Sequence, residues 1–188
     1  GSQFNETDWT LSYAKSFGLV SLEVGYIYYA LEDISSDYDI TEDPDDSEEL
    51  YLSVGFDTFL APTLTVYREI AHLPSWYFSF DLSHSFELPR DITLDIAGSV
   101  GYYYSDDSDF VEIKDHGQVE TSTKYRNFHN GLISIALNIP INEFCSVSPM
   151  LAYSFPLTND AENQIEAANG FSDDSDYAFG GVTISIAF

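Results

Sequence analysis

Apolar residues recur at every second position in segment after segment of this chain, a period that belongs to β-strands rather than helices. Nine segments show it: residues 8–15, 19–30, 49–58, 63–70, 75–88, 92–104, 132–141, 146–155 and 177–188. The fifth is the cleanest, with Trp76, Phe78, Phe80, Leu82 and Phe86 on one face and Tyr77, Ser79, Asp81, Ser83, Ser85 and Glu87 on the other. The second sets Val20, Leu22, Val24, Tyr26 and Tyr28 against Ser21, Glu23 and Gly25. The third sets Leu50, Leu52, Val54 and Phe56 against Tyr51, Ser53, Gly55 and Asp57. Pro149 falls inside the eighth segment; proline cannot donate to a ladder, so a bulge or local break is expected there. No segment has a helical period of its own, although 160–168 has room for a short helical turn.

The connections alternate in length. Short turns at 15–18, 59–62, 89–91 and 142–144 join strands one–two, three–four, five–six and seven–eight. Long polar loops join two–three, six–seven and eight–nine, and only the link at 72–74 is short on that side. Short turns on one side and long loops on the other are the arrangement of a transmembrane β-barrel. Most segments also reach the ~9–11 residues that cross a bilayer at a tilt. At the C-terminus, Val182, Ile184, Ile186 and Phe188 alternate with Gly181, Thr183, Ser185 and Ala187, and the chain stops on an aromatic residue. Termini of soluble domains usually fray into water, whereas the last strand of a barrel must be paired to leave no edge in lipid.

The expected fold is therefore all-β: a single domain over 1–188, folded as an antiparallel up-and-down transmembrane β-barrel with nine strands visible. Parity adds a condition. The first and ninth strands run the same way, so a barrel with an even strand number needs an ascending strand before Gln3, giving about 10 or 12 strands when whole. Gly1-Ser2 reads as an expression remnant, which fits a missing N-terminal segment. The open edge would be met by that segment, a second copy or a partner protein.

Composition sharpens this picture. Aromatic residues make up 16% of the 188, with 14 Tyr and 14 Phe. Trp9, Tyr26, Tyr28, Trp76, Tyr102, Tyr104 and Tyr153 fall at strand ends, where aromatic girdles meet the bilayer interface. No run approaches the ~18 apolar residues of a transmembrane helix. A mean hydropathy of -0.12 is compatible with strands that alternate lipid-facing and interior residues. Six Lys plus Arg against 32 Asp plus Glu give a net charge of -26, which argues against nucleic acid and against docking on an anionic membrane surface. Of those 32 carboxylates, ten lie in 31–49, six in 105–130 and six in 157–176, so most sit in three loops on one side. The single cysteine, Cys145, cannot form an internal disulfide.

Three groups could carry chemistry. Glu23, Asp57, Glu69, Asp81, Glu87 and Asp95 fall on interior-facing positions, where acidic residues favour cations in a pore. Ser, Gly, Ala and Tyr at many other interior positions allow the opposite outcome, an interior filled by side chains that conducts nothing. The run 105–110 nearly repeats at 172–177, which places Asp106, Asp107, Asp109, Asp173, Asp174 and Asp176 as candidate calcium ligands. Neither run has the spacing or glycine of an EF-hand loop, and a solvated acidic loop explains both. His72, His84, His116 and His129 show no metal spacing, and no Ser–His or His–Asp set can be assembled, so an enzyme is not expected.

The stretch Leu52-Ser-Val-Gly-Phe-Asp-Thr-Phe-Leu-Ala-Pro-Thr-Leu-Thr-Val-Tyr67, with Trp76-Tyr-Phe-Ser-Phe-Asp-Leu-Ser-His-Ser-Phe86, resembles the hairpins of uncharacterised Gram-negative outer-membrane β-barrel (porin-like) families. The closing strand resembles their C-terminal assembly signal. The resemblance implies an outer-membrane location and contact with outer-membrane lipid, and it carries no catalytic residues. The expected function is a small channel or uptake porin with acidic external loops. The alternative is a structural or interaction barrel that binds a partner protein or calcium through those loops.

Overall fold

A computed structural model describes residues 6–31, 46–71, 73–169 and 174–186. In chain order it contains β1 (Glu6–Phe17), β2 (Val20–Leu31), β3 (Ser47–Phe56), β4 (Thr63–Glu69), β5 (Ser75–Glu87), β6 (Thr93–Ser105), β7 (Val111–Lys114), β8 (Val119–Lys124), β9 (Arg126–Asn142), β10 (Cys145–Pro156), α1 (Asn159–Ala168) and β11 (Tyr177–Ile186). Nine of these strands form one sheet in the order β1-β2-β3-β4-β5-β6-β9-β10-β11, and every neighbouring pair is antiparallel. The sheet is not closed: β1 and β11 are its two edges. They run in the same direction, because an odd number of strands alternates between them.

The nine expected strands are thus the nine strands of the main sheet. The turns that join them follow local chemistry. Gly18 opens the two-residue turn between β1 and β2 at φ 62, a conformation that costs glycine little. A short 3-10 turn at Pro89–Asp91 links β5 to β6, with Arg90 and Asp91 both left-handed at φ 71 and 58. Within the long connection from β6 to β9 lies a second sheet, the hairpin β7–β8, which the sequence pattern did not reveal. In the connection from β10 to β11, the anticipated helical turn is a ten-residue helix. Thr158 caps it by accepting a hydrogen bond from the Ala161 backbone N–H at 3.1 Å.

Of the bulge or local break expected at Pro149, the structure has the break and no bulge. The β10 strand runs through it in unchanged register, while its pairing to β9 lapses at Ser148 and Pro149. The register shift lies instead between Cys145 and Ser146, beside the turn. A second shift, between Val100 and Tyr102, lets β9 carry one more residue than β6 at that point.

Burial is inverted relative to a water-soluble sheet. The face carrying Leu11, Val24, Leu52, Ile135, Leu151 and Val182 is open, with Leu11 76% and Leu151 67% exposed. The opposite face carries small and polar residues and is the more enclosed: Thr65 is 6% and Ser79 8% exposed. Among the described residues the buried apolar side chains are only Tyr125, Ala152 and Ala161. The two faces are called apolar and polar below. Shallow grooves between β6, β9, β10 and β11 on the apolar face are lined by Ile96, Ile133, Ile135, Leu151, Tyr153 and Val182, with no Asp, Glu, Lys, Arg or His among them.

Candidate functional site

The polar face is organised around a row of tyrosines. Strand register places Gly25 opposite Tyr51, Tyr51 opposite Tyr67, Tyr67 opposite Tyr77, and Tyr77 opposite Tyr103. Ring centroids are 5.6 Å apart for Tyr51–Tyr67 and 6.0 Å for Tyr67–Tyr77, within contact range for aromatic side chains. Glycines make room at both ends of the row. A Cβ on Gly25 would lie 2.3 Å from the Tyr51 ring, and one on Gly101 would lie 2.1 Å from the Tyr77 hydroxyl. The hydroxyls find partners: Tyr51 donates to Glu23 at 2.6 Å, and Tyr77 donates to the Asn130 side-chain oxygen at 2.8 Å. Asn130 reaches this position at the shift in β6–β9 pairing, where His129 beside it also contacts Tyr103.

The six interior carboxylates expected from the sequence are spread along the strands. Register puts Glu69 beside the long-loop end, Glu23 and Asp81 lower, and Asp95 and Glu87 toward the short turns. Asp57 lies just past the end of β3, exposed in the turn. No two of the six are direct cross-strand partners, so they are scattered over several strands and depths rather than gathered in a ring. Asp81 accepts from the Ser79 hydroxyl at 2.8 Å, and Glu69 accepts from Ser47 at 3.3 Å and from the Ala71 backbone N–H at 3.0 Å. Glu49, which the sequence reading passed over, stands directly opposite Glu69 and accepts from the Tyr29 hydroxyl at 3.2 Å. Its position at the very start of a predicted strand hid its facing.

Among the described residues of the main sheet, no Lys or Arg stands on this face. Lys15, Arg68 and Arg126 all stand on the apolar face, each over an aromatic ring. Among its described residues the main sheet therefore presents carboxylates, hydroxyls, tyrosine rings, the Asn130 amide and the His129 ring on the polar face, with no Lys or Arg.

At the long-loop end, β7, β8 and α1 fold against this face. Asn127 and Lys114 both donate to the Asp160 carboxylate at the start of α1, the former at 3.1 Å. Gln164, buried, accepts from the Ile113 backbone N–H at 3.3 Å. Beneath them Tyr125 is fully buried, its ring 5.8 Å from Tyr103 and 6.0 Å from Phe110, its hydroxyl 2.9 Å from His129 Nδ1. Burial pushes the Tyr125 phenol well above its ordinary range, with the Asp160 and Glu112 charges adding to the effect. The hydrogen bond to Asp160 raises Lys114, which stays charged. Of this cap only the helical turn was expected; the β7–β8 hairpin and the buried Tyr125 were not, because their residues show no alternation.

The candidate calcium ligands are engaged locally. Asp106 binds Arg68 at 2.6 Å and Trp76 Nε1 at 3.2 Å; the Asp107 side chain accepts from the Asp109 backbone N–H at 2.7 Å; Asp176 accepts from the Tyr153 hydroxyl. Asp173 lies outside the described residues, as does His72. Among the described residues no three His, Cys, Asp or Glu side chains are placed to share one ion. His84 sits on the apolar face between Phe59 and Phe86, its Nδ1 2.6 Å from the Phe59 carbonyl oxygen, and His116 meets Glu166 at the surface. No protein-family model matches the chain, and neither does any curated protein or solved structure.

Proposed function

We propose that this chain spans a bacterial outer membrane as a β-barrel and forms a narrow, cation-preferring channel, with its acidic loops outside. One observation carries the reading: the large apolar side chains point outward along every strand of the main sheet while Ser, Thr, Gly and carboxylates line the enclosed face. Keeping one Leu or Phe side chain in water rather than in an apolar medium costs about 1.5–3 kcal/mol, so a sheet that exposes dozens of them needs a hydrocarbon surround. Strands of 10 to 17 residues, outside the shorter β4 and the β7–β8 hairpin, are long enough to cross one. The polar face supports the choice of ion, since the described strands of the main sheet give it carboxylates at several depths and no Lys or Arg, the Lys114 of the cap being paired with Asp160 and Glu112. Open sheet edges are not tolerated in lipid, so in this reading β1 and β11 are closed by each other or by a further strand.

The test is in two stages. The refolded protein is first floated with phosphatidylcholine vesicles, and failure to float defeats the membrane reading. Inserted protein is then placed in a planar bilayer under a potassium chloride gradient. The expected result is a current whose reversal potential has the sign of potassium selectivity. Inserted protein that passes no current would favour the second reading, an interior filled by the tyrosine row and sealed by the β7–β8 and α1 cap, with the loops as a binding surface for a partner protein or calcium.

A further inference from the structure

The six Lys and Arg of this chain are few enough that their placement is informative. Two of them share one line on the apolar face. Strand register runs Arg68 on β4 to Trp76 on β5, Trp76 to Tyr104 on β6, and Tyr104 to Arg126 on β9. Both guanidiniums lean inward over the central rings: Arg68 Cζ is 4.9 Å from the Trp76 ring and Arg126 Cζ is 4.4 Å from the Tyr104 ring. Trp76 and Tyr104 are direct cross-strand partners, whose Cβ atoms stand about 4.5–5.5 Å apart in such pairs. Each cation therefore lies over one member of a cross-strand aromatic pair, although the two arginines stand on strands three apart. A guanidinium held over a ring keeps N–H donors for other acceptors, and guanidinium suits phosphate oxygens; Arg68 already gives one donor to Asp106.

The surroundings say what kind of anion. One rung further from the long-loop end, Phe78, Tyr102 and Phe128 form a second row on the same face, with ring centroids 6.3 Å and 5.4 Å apart. The cationic row thus borders a continuous apolar surface on one side and the polar loops on the other. Asp106 enters from the loop side and binds Arg68 and Trp76 Nε1, while Lys124 donates to its backbone oxygen. Arg68, Lys124 and Arg126 against Asp106 leave the cluster net positive in a chain of net charge -26. Another carboxylate of this face, Glu48, stands on β3 beside the strand of Arg68 and accepts from the Tyr26 hydroxyl of β2 at 2.8 Å. Arg126 has its stack and, among the described residues, no carboxylate partner in the ion pairs seen.

We infer that the Arg68–Trp76–Tyr104–Arg126 row binds the phosphate of an anionic membrane lipid, its acyl chains lying over Phe78, Tyr102 and Phe128. The inference rests on the membrane reading above. A soluble anion would gain nothing from the aromatic row, whereas an amphipathic one is contacted at both ends.

The experiment uses the full chain refolded in phosphatidylcholine vesicles containing a minor fraction of phosphatidylglycerol. Flotation reports insertion, and mass spectrometry of protein extracted with its bound lipid reports headgroup preference. Phosphatidylglycerol is expected to be retained several-fold over its share of the bilayer. Arg126→Gln should lower that enrichment, R68Q/R126Q should abolish it, and Arg126→Lys should fall between, keeping charge without the planar stack. Excess inorganic phosphate should leave the retained lipid in place. Insertion without headgroup preference, or preference unchanged in R126Q and R68Q/R126Q, overturns the lipid site alone. Displacement by inorganic phosphate reassigns the row to a soluble anion and overturns it too. Failure to float removes the membrane reading itself. If R68Q/R126Q does not refold, R126Q decides the matter, since its side chain is exposed.

Discussion

Gly101 shows how much a single hydrogen atom matters on the polar face. A methyl there would come within 2.1 Å of the Tyr77 hydroxyl and 2.5 Å of Asn130 Oδ1, so Gly101→Ala must push apart two partners that hold each other at 2.8 Å. Overpacking of this kind costs about 1–3 kcal/mol. We expect urea unfolding of the refolded G101A variant to shift by that amount, and Gly98→Ala, whose nearest neighbour is 3.6 Å away, to shift much less. Equal behaviour of the two would show that the tyrosine row is not tightly packed. Alternation in the sequence correctly assigned Tyr51 and Tyr77 to the face opposite the apolar side chains of their strands. It could not show that each is a cross-strand neighbour of Tyr67, because register depends on turn geometry as well as on pattern. Glu49 escaped notice for a related reason: a carboxylate at a strand's first residue reads as loop.

At the level of elements, the strands were legible because each buries or exposes residues with a period of two. The β7–β8 hairpin and the first residues of β9 were not. The run 111–130 is polar and charged, and its hairpin is held by turn geometry at Asp115, His116 and Gly117, all with positive φ, and by side-chain contacts with α1. Such tertiary support leaves no periodic trace. This cap carries its own pH limit. Tyr125 keeps its proton when buried, while in an opened cap it would ionise near its ordinary value of 10.0. Because the closed form binds the proton more tightly, its stability is full below that value and falls as pH rises past it. Amide hydrogen exchange of α1 and β7 should therefore accelerate above about pH 10, after correction for base catalysis, whereas Tyr125→Phe should lose that added dependence. Exchange in the wild-type cap that stays flat through this range would contradict the buried phenol as the cause.

Taken as a whole molecule, the described residues separate their chemistry by place: acids to the loops and the polar face, apolar bulk to the other face, and the cations of the main sheet to the apolar face beside aromatic rings. The sequence displayed the first two separations directly. The third needed register, which aligns Arg68 and Arg126 although they are far apart along the chain. The parallel sense of β1 and β11 has one more consequence, and it concerns vectorial insertion. Two copies threaded into a bilayer the same way up present edges that all point in one direction. Such copies can join only through parallel seams, and an antiparallel seam between them would require one copy to be upside down. A head-to-tail ring of identical subunits and a self-sealed monomer thus share the same kind of seam, while a single oppositely directed strand from elsewhere makes two antiparallel ones. Paired cysteines placed along β1 and β11, with Cys145 replaced by Ser, distinguish these cases. Disulfides within one chain mark self-sealing, disulfides between chains mark a ring, and neither forms where an inserted strand keeps the edges apart.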